Sequence, residues 1–241
     1  MSMDHIDHKK RDAQKVGQMF SDIAARYDFL NHLLSLGLDI GWRKRLAEET
    51  GKISCKSILD VCTGTGDMAI ELCRFWKGAA HVEGLDFSRG LIEVGREKVK
   101  KAKLDDKISF REGNAEALPY INNQFDAVTI TFGLRNINDR LKALKEFYRV
   151  TRPGGGFLCL EFSQPNNPFL AKTYPFYLMK IVPLVAKIFG SDPAAYKYLG
   201  KTIKGFPPPG DLVDLIARAG WKEVSYQKLA GGIVAFHQGV K

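Results

Sequence analysis

The sequence has few cysteines and no motif that joins them. Four cysteines in 241 residues, with no Cys-x-x-Cys pair, do not make the framework of a disulfide-stabilised protein. The first 15 residues also lack the apolar stretch of a secretory signal peptide. Both absences favour a reducing, cytoplasmic location.

Long apolar runs and repeats are absent as well. The most apolar tract, residues 169–189, contains three lysines and two prolines, whereas a membrane-spanning helix needs about 20 mostly apolar residues. No internal repeat or low-complexity linker divides the chain, so we expect a single domain over residues 1–241. His5 and His8 have the spacing of two metal ligands, but no other candidate ligand accompanies them in the sequence, and no metal site is expected.

The composition is that of a folded globular protein. Hydrophobic residues make up 45% of the chain and charged residues 26%. The 36 basic residues exceed the 27 acidic ones and give a net charge of +9. This excess favours an anionic ligand, an anionic membrane surface or nucleic acid, without choosing among them.

Short apolar runs alternate with segments of helical period. The predicted strands of the first part are 57–61, 81–86, 108–110, 125–132 and 157–162. The predicted helices between them are 67–75, 89–101 and 139–150. Such alternation is typical of βαβ units and a parallel sheet.

The remaining segments complete the predicted fold. They are the helices 11–34 and 42–49 of an N-terminal cap (residues 1–50), an apolar insertion (164–205), a helix near 210–219 and the strands 222–229 and 232–238. A glycine turn joins the last two strands into a hairpin. We therefore expect an α/β, Rossmann-like, doubly wound and mostly parallel seven-stranded sheet with an antiparallel C-terminal hairpin and an N-terminal helical cap.

The strongest motif joins the first predicted strand to the helix that follows. Residues 58–67 pass from an apolar strand through Gly64 and Gly66 into a helix, so backbone N–H groups can approach a ligand closely. Asp86 lies 20 residues past Gly66, at the end of the second strand, where a carboxylate would bind ribose hydroxyls. The same spacing fits a dinucleotide fingerprint, so a nicotinamide-dependent dehydrogenase is an alternative.

Asp60 argues against the dehydrogenase. Its carboxylate ends the first strand beside the glycine turn, where it would repel a pyrophosphate and attract a cationic ligand. S-adenosylmethionine has an adenosine, an ammonium and a sulfonium, and is the expected cofactor. Asn114 and Ala115 after the third strand, and Thr131 at the end of the fourth, would line the same crevice, with the Asn114 amide at the adenine edge.

Seven motifs carry a resemblance to a known family. They are residues 60–67 (DVCTGTGD), 84–88 (GLDFS), 113–119 (GNAEALP), 132–136 (FGLRN), 152–155 (RPGG), 161–163 (EFS) and Tyr27-Asp28-x-x-Asn31 with Ser35 and Trp42. Residues 60–67, 84–88, 113–119 and 152–155 resemble the motifs of class I S-adenosylmethionine methyltransferases. The other motifs narrow the resemblance to the ubiquinone/menaquinone biosynthesis C-methyltransferases. The chain departs from that pattern at Leu30 and Asp39.

The resemblance implies both a cofactor site and a reaction. The cofactor contacts that it implies are those of Thr65 beside Gly64 in the glycine loop, Asp86, Asn114, Ala115 and Thr131. The methyl acceptor would be a ring carbon of a hydroquinone, which becomes nucleophilic as a neighbouring hydroxyl loses its proton. Such a reaction needs a base or a cation beside the phenolate.

Four residues are the expected catalytic group. Arg135, whose guanidinium is always charged, would hold the phenolate at the mouth of the crevice, with pairing to a surface carboxylate as the alternative. Tyr27, Asp28 and Asn31 share one helix face and would close over the substrate, or would only dock the cap helix.

The expected substrate is a polyprenyl hydroquinone, namely demethylmenaquinol, with a 2-methoxy-6-polyprenyl-1,4-benzoquinol as the alternative. The apolar insertion would cover the prenyl tail, and its lysines, with those of the basic helix (Lys98, Lys100, Lys101 and Lys103), would contact an anionic membrane. The alternative is that the tract only packs into the core and that the basic helix is solvated. No nucleic-acid partner is expected, because residues 131–134 lack the polar-Pro-Pro-aromatic turn of base-amino methylation. Methylation of another small molecule or of RNA, and cofactor binding without catalysis, stay open as alternatives.

Overall fold

The computed structural model describes residues 28–165 and 167–241. Its strands are β1 (Ser57–Val61), β2 (His81–Asp86), β3 (Ile108–Glu112), β4 (Phe125–Thr131), β5 (Thr151–Phe162), β6 (Lys222–Leu229) and β7 (Val234–Val240). They form one sheet in the order β3-β2-β1-β4-β5-β7-β6. β1 to β5 are parallel, and β7 lies antiparallel between β5 and β6. The predicted fold class is confirmed.

Helices cover both faces and one end of this sheet. They are α1 (28–34, from the first described residue), α2 (Leu38–Thr50), α3 (Asp67–Phe75), α4 (Arg89–Lys101), α5 (Arg140–Val150), α6 (Pro168–Phe176), α7 (Val182–Ile188), α8 (Pro193–Lys204) and α9 (Pro209–Arg218). A π-helical turn, Tyr177–Ile181, links α6 to α7. No helix within these residues is long and apolar enough to cross a membrane.

Helix caps explain why several boundaries follow the sequence closely. The Ser88 hydroxyl accepts a hydrogen bond from Leu91 N at the start of α4, and Asp139 accepts one from Lys142 N at 3.0 Å at the start of α5. Gly66 precedes α3 with φ of 81°. Each of these residues marks the start of its helix. Ser88 and Asp139 accept hydrogen bonds from free N–H groups of the first turn, and Gly66 adopts a left-handed backbone.

Several boundaries differ from the prediction. β3 extends to Glu112, where the sequence predicted 110, and β7 to Val240, where it predicted 238. β5 begins at Thr151, six residues before the predicted 157, because Gly154, with φ of 75°, lies in a bulge inside the strand and not in a loop. α2 begins at Leu38 and not at 42, and β7 begins at Val234 because residues 230–232 form a 3-10 turn. The predicted helix 11–34 lies within the described residues only from residue 28, and that part is helical.

The core has three parts, and the third one places the insertion. Two apolar layers pack against the two faces of the sheet, one around Phe147 and Phe157 and the other around Leu46 and Leu72. A third cluster lies beyond the carboxyl end of the sheet and joins α1 to the helices of residues 168–204. Its members include Leu30, Tyr174, Leu178, Val182, Tyr196 and Ile203. The insertion is therefore held over the end of the sheet by apolar contacts with α1.

Candidate active site

A cavity of about 370 Å³ lies between the carboxyl ends of β1 and β4, helices α1 and α2, and the insertion. One end is polar and is lined by Arg43, Asp60, Gly64, Thr65, Asp67 and Thr131. The other end is apolar and aromatic and is lined by Leu170, Tyr174, Tyr177, Leu178, Val182 and Leu199. The carboxyl end of a parallel sheet is where ligands bind in folds of this kind.

Asp86 is fixed at the edge of the glycine loop. One of its carboxylate oxygens accepts a hydrogen bond from Gly64 N and the other from Ser88 N, each at 2.8 Å. Burial raises the pKa of Asp86 although these N–H groups oppose the shift. A carboxylate has about four acceptor positions, so Asp86 keeps capacity for the predicted contact with the ribose, although it does not itself line the cavity.

Asp60 is a buried carboxylate at the polar end of the cavity. Its two oxygens accept hydrogen bonds from the Thr63 hydroxyl at 2.6 Å and the Thr129 hydroxyl at 2.7 Å. Burial raises its pKa to about 6, despite these two donors. A carboxylate in this setting is stabilised by any cation that enters the cavity.

Thr131 offers a polar atom with unused bonding capacity. Thr131 lines the cavity, and its buried hydroxyl has no hydrogen-bond partner among the residues described. Buried polar groups are normally paired, so this hydroxyl at the wall of the cavity has capacity for a hydrogen bond to a ligand. Together with the glycine loop and the two carboxylates, this donor set fits an adenosylated amino acid.

Asn114 and Ala115 lie beside the cavity and do not line it. They follow β3 next to Asp86, whose carbonyl accepts a hydrogen bond from Gly113 N at 2.9 Å. Asn114 is exposed, and its side-chain oxygen accepts a hydrogen bond from Glu116 N at 2.8 Å. The Asn114 amide nitrogen stays the donor for the predicted adenine contact.

Arg135 is buried at the wall of the cavity. Its guanidinium donates to Glu161 Oε1 at 2.8 Å and lies over the ring of Phe162 at 5.3 Å. The same carboxylate accepts a hydrogen bond from the Arg135 backbone N–H at 3.1 Å. Its Nε is buried and unpartnered within the described part of the chain. Arg135 is thus paired with a buried carboxylate and not with a surface one. Its Nε–H is still available as a hydrogen-bond donor.

The predicted helix residues occupy different places. Asn31 lines the cavity. Asp28 does not, because its carboxylate accepts hydrogen bonds from the Thr65 hydroxyl and from Lys98 Nζ, the latter at 2.6 Å. Asp28 therefore ties α1 to the glycine loop and to α4. Tyr27 lies outside the described residues.

Arg43 lines the polar end of the cavity, and the sequence did not single it out. Asp39, which is 3% exposed, accepts hydrogen bonds from Arg43, from His32 at 2.7 Å and from Ser35 at 2.6 Å. Burial alone would raise the pKa of Asp39, but Ser35 and Arg43 outweigh it and lower that pKa. The sequence signal for Arg43 was its position directly after Trp42, the last residue of the N-terminal motif that carries the resemblance. Arg43 brings a fixed positive charge to the glycine loop.

The turns that follow β1 and β4 come into close contact at the wall of the cavity, and this contact requires a glycine. Cys62 and Phe132, at the ends of β1 and β4, have φ of 55° and 56°, a backbone that side chains rarely adopt. A Cβ on Gly133 would lie 2.4 Å from the Cβ of Cys62. The glycine therefore lets the two strand ends approach each other.

We expect Gly133→Ala to lower the free energy of unfolding by about 1–3 kcal/mol, because the two turns must separate. Denaturant unfolding measures the change. Gly41→Ala is the matched control, since a Cβ there meets nothing within 4 Å and the position is inside helix α2. Equal stability of the two variants would show that the turns are not in close contact.

Sequence comparison shows the same relationship over almost the whole chain. The model of the ubiE/COQ5 methyltransferase family matches residues 8–241. The ubiquinone/menaquinone biosynthesis C-methyltransferase UbiE of Francisella philomiragia is 40% identical over 228 residues, which are 95% of this chain and 91% of that protein. The protein of the same name from Pseudoalteromonas translucida is 38% identical over 229 residues, with the same coverage of both chains.

Solved structures share the fold at low identity. A SAM-dependent methyltransferase from Aquifex aeolicus superposes with a TM-score of 0.56 at 17% identity, over 76% of this chain and 81% of its own. The [4+2]-cyclase SpnF superposes with a TM-score of 0.68 at 16% identity, over 95% and 96%. A methyltransferase and a cyclase on one fold show that the fold alone does not fix the reaction. The chain belongs to the ubiE/COQ5 methyltransferase family, as the match over residues 8–241 shows, and its cofactor is S-adenosylmethionine.

Proposed function

We propose that the protein transfers a methyl group from S-adenosylmethionine to a ring carbon of a polyprenyl hydroquinone, and that demethylmenaquinol is its substrate. The observation that carries the proposal is one cavity that is lined by the glycine loop, by aromatic and apolar side chains and by Arg135. The printed names of the curated relatives, which refer to both ubiquinone and menaquinone biosynthesis, support a quinone-type acceptor.

The cofactor would be held by the residues at the polar end of the cavity and at the neighbouring strand ends. They are Gly64, Thr65, Asp86, Asn114, Ala115 and Thr131, with Asp60 as the buried anion. When bound, S-adenosylmethionine supplies an electrophilic methyl group on a positively charged sulfur. The chain itself contributes position, exclusion of water and a fixed electrostatic field.

The acceptor ring would lie among aromatic side chains. Phe132 stacks on Phe162 with 4.5 Å between ring centroids, and Trp42 meets Phe132 edge-on at 6.1 Å. These rings line the wall between the two ends of the cavity, and their flat faces suit the two fused rings of a naphthohydroquinone. The prenyl tail would continue into the apolar end, against side chains such as Leu178 and Val182.

Arg135 would activate the ring. Arg135 lines the cavity, and its Nε–H, which has no hydrogen-bond partner among the described residues, would donate to the ring hydroxyl as that group loses its proton to solvent. A guanidinium beside a phenol lowers the pKa of the phenol and stabilises the phenolate. Glu161 fixes the guanidinium through two hydrogen bonds, one to the side chain and one to the backbone. Negative charge then flows to the ring carbon that receives the methyl group.

Asp60 should make cofactor binding dependent on pH. Because its pKa in the free protein is raised to about 6, a cationic ligand that favours the ionised carboxylate must displace a proton below that pH. We expect the Kd for S-adenosylmethionine to rise by up to about tenfold for each pH unit below 6 and to be constant above pH 7. Calorimetric titrations from pH 5 to pH 8 measure this profile.

Asp60→Asn is the control for that profile. The amide keeps the size of the side chain and removes its titration, so binding should be weaker at pH 8 and nearly independent of pH. An unchanged slope in this variant would assign the pH dependence to another group.

The proposed function is tested by methyl transfer from labelled S-adenosylmethionine to chemically reduced demethylmenaquinol. A reduced 2-methoxy-6-polyprenyl-1,4-benzoquinol is assayed beside it, and the oxidised quinones are the matched controls, because an oxidised ring is too electron-poor to attack. We expect label in the reduced naphthol ring, and none in the oxidised forms. Transfer only to the benzoquinol would reassign the substrate, and no transfer to either, with tight cofactor binding, would refute the function.

A further inference from the structure

Helices α6 and α7, with the π turn between them, form one apolar rod over the end of the sheet. Its inner face steps by four residues through Tyr174, Leu178, Val182 and Ala186, all of which are buried. This face packs against α1 and lines the apolar end of the cavity. A helix with one buried face normally presents polar residues on the opposite face.

The opposite face of this rod is mostly apolar instead, with the exposed Lys180 at one step of its row. Phe176, Leu184 and Ile188 lie on it at steps of four or eight residues, and their side chains are 61%, 55% and 70% exposed. Phe169, at the start of α6, is 73% exposed. Phe29 of α1 extends the patch, since its half-exposed ring meets that of Phe189 at 5.3 Å. Exposed large apolar side chains grouped in this way mark a contact with a partner or a membrane.

The charge of the same segment has one sign. Residues 168–190 contain three lysines, Lys172, Lys180 and Lys187, and no aspartate or glutamate. All three lysines are exposed. Lysines among exposed aromatic and aliphatic side chains are typical of helices that lie in the headgroup region of an anionic bilayer. We name this surface the outer face, and define it by Phe169, Phe176, Leu184 and Ile188 with these three lysines.

We infer that the outer face docks the protein on an anionic lipid bilayer, with α6 and α7 parallel to the membrane plane. The inference rests on the proposed function, because a polyprenyl substrate resides in the bilayer. Docking through the outer face would bring the apolar end of the cavity, which the inner face of the same rod lines, close to that substrate. The observations that carry it are the exposed apolar row and its uniformly positive charge. A second copy of this chain would bring the same three lysines against each other, which disfavours self-association through this face.

The test measures binding to vesicles that contain no quinone, so it does not depend on catalysis. Vesicles of phosphatidylglycerol and phosphatidylcholine are compared with pure phosphatidylcholine by co-sedimentation, with the full-length protein and no cofactor. We expect binding to the anionic vesicles that weakens steeply with salt, and binding to the neutral ones that is at least tenfold weaker.

Two variants separate the apolar and the electrostatic contributions. Phe176→Gln/Leu184→Gln/Ile188→Gln removes the exposed row, and Lys172→Gln/Lys180→Gln/Lys187→Gln removes the charge. We expect at least a tenfold loss of vesicle affinity from the first and about a hundredfold loss from the second. The matched controls are Ile121→Gln, whose side chain is 75% exposed on the body of the protein, and Lys100→Gln/Lys101→Gln/Lys103→Gln at and just after the C-terminal end of α4. Both controls should bind within about twofold of the unaltered protein.

Methyl-transfer assays distinguish a failure of the membrane-docking inference from a failure of the proposed function. Both outer-face variants should methylate a short-chain, water-soluble quinol at the normal rate and a long-chain quinol in anionic vesicles more slowly. Vesicle binding that is absent in the unaltered protein, or equal losses in the control variants, would overturn the inference. A dimer in analytical ultracentrifugation that the Phe176→Gln/Leu184→Gln/Ile188→Gln variant abolishes, without vesicle binding, would overturn it too.

Discussion

Replacement of Asp86 with alanine should abolish measurable cofactor binding and, with it, methyl transfer. The carboxylate is fixed by two backbone N–H donors at 2.8 Å and presents its remaining lone pairs at the end of β2. Charge-assisted hydrogen bonds to two ribose hydroxyls contribute about 3–6 kcal/mol together, so the Kd for S-adenosylmethionine should rise at least about a hundredfold. Calorimetry on the purified variant measures this change, and adenosine alone should lose binding in parallel.

The control must separate lost contacts from a distorted loop, since Asp86 also holds Gly64 N. Glu112→Gln alters a carboxylate in β3 that is paired in register with Asp86 but is exposed, and it should bind the cofactor normally. Thermal unfolding of both variants reports the state of the fold. Retention of normal affinity by folded Asp86→Ala would place the ribose elsewhere.

Replacement of Arg135 should lower kcat while the Kd for the cofactor changes little. Loss of a single donor to a developing oxyanion costs about 100- to 1,000-fold in rate, and we expect Arg135→Met to fall in this range. The variant also leaves Glu161, which is 1% exposed, without its charged partner, so the free energy of unfolding should fall by about 3–5 kcal/mol.

The double variant Arg135→Met/Glu161→Gln separates these two effects. With both charges removed, much of the stability should return, because no unpaired charge stays buried. The methyl-transfer rate should stay low, because no cation faces the ring. Recovery of rate together with stability would reduce Arg135 to a structural role and leave the phenolate to another group.

The sequence predicted elements wherever a local signal marked both ends. The glycine loop and α3 follow from an apolar run that meets Gly64 and Gly66, and α4 and α5 begin at the cap residues Ser88 and Asp139. The convergence of Asp60, Asp86 and Thr131 followed from the rule that parallel strands end at one edge. These inferences needed only short-range patterns and the direction of the sheet.

The contacts that the sequence did not predict are long-range ones. The partner of Arg135 is Glu161, and their contact depends on the register of β4 and β5, in which Thr131 pairs with Leu160. The course of α6 and α7 was equally unpredictable, because both faces of that rod are apolar and periodicity then indicates no inward side. The position of Arg43 in the cavity depends on the packing of α2 against the glycine loop, which no local motif specifies.

The most direct test of the account is the position of the transferred methyl group. Reduced demethylmenaquinol is incubated with S-adenosylmethionine that carries a ¹³C-labelled methyl group, and the extracted quinone is analysed by NMR and mass spectrometry. The account predicts one label on the ring carbon, in amounts equal to the S-adenosylhomocysteine formed. A label on a quinol oxygen, or S-adenosylhomocysteine without any labelled quinone, would contradict it.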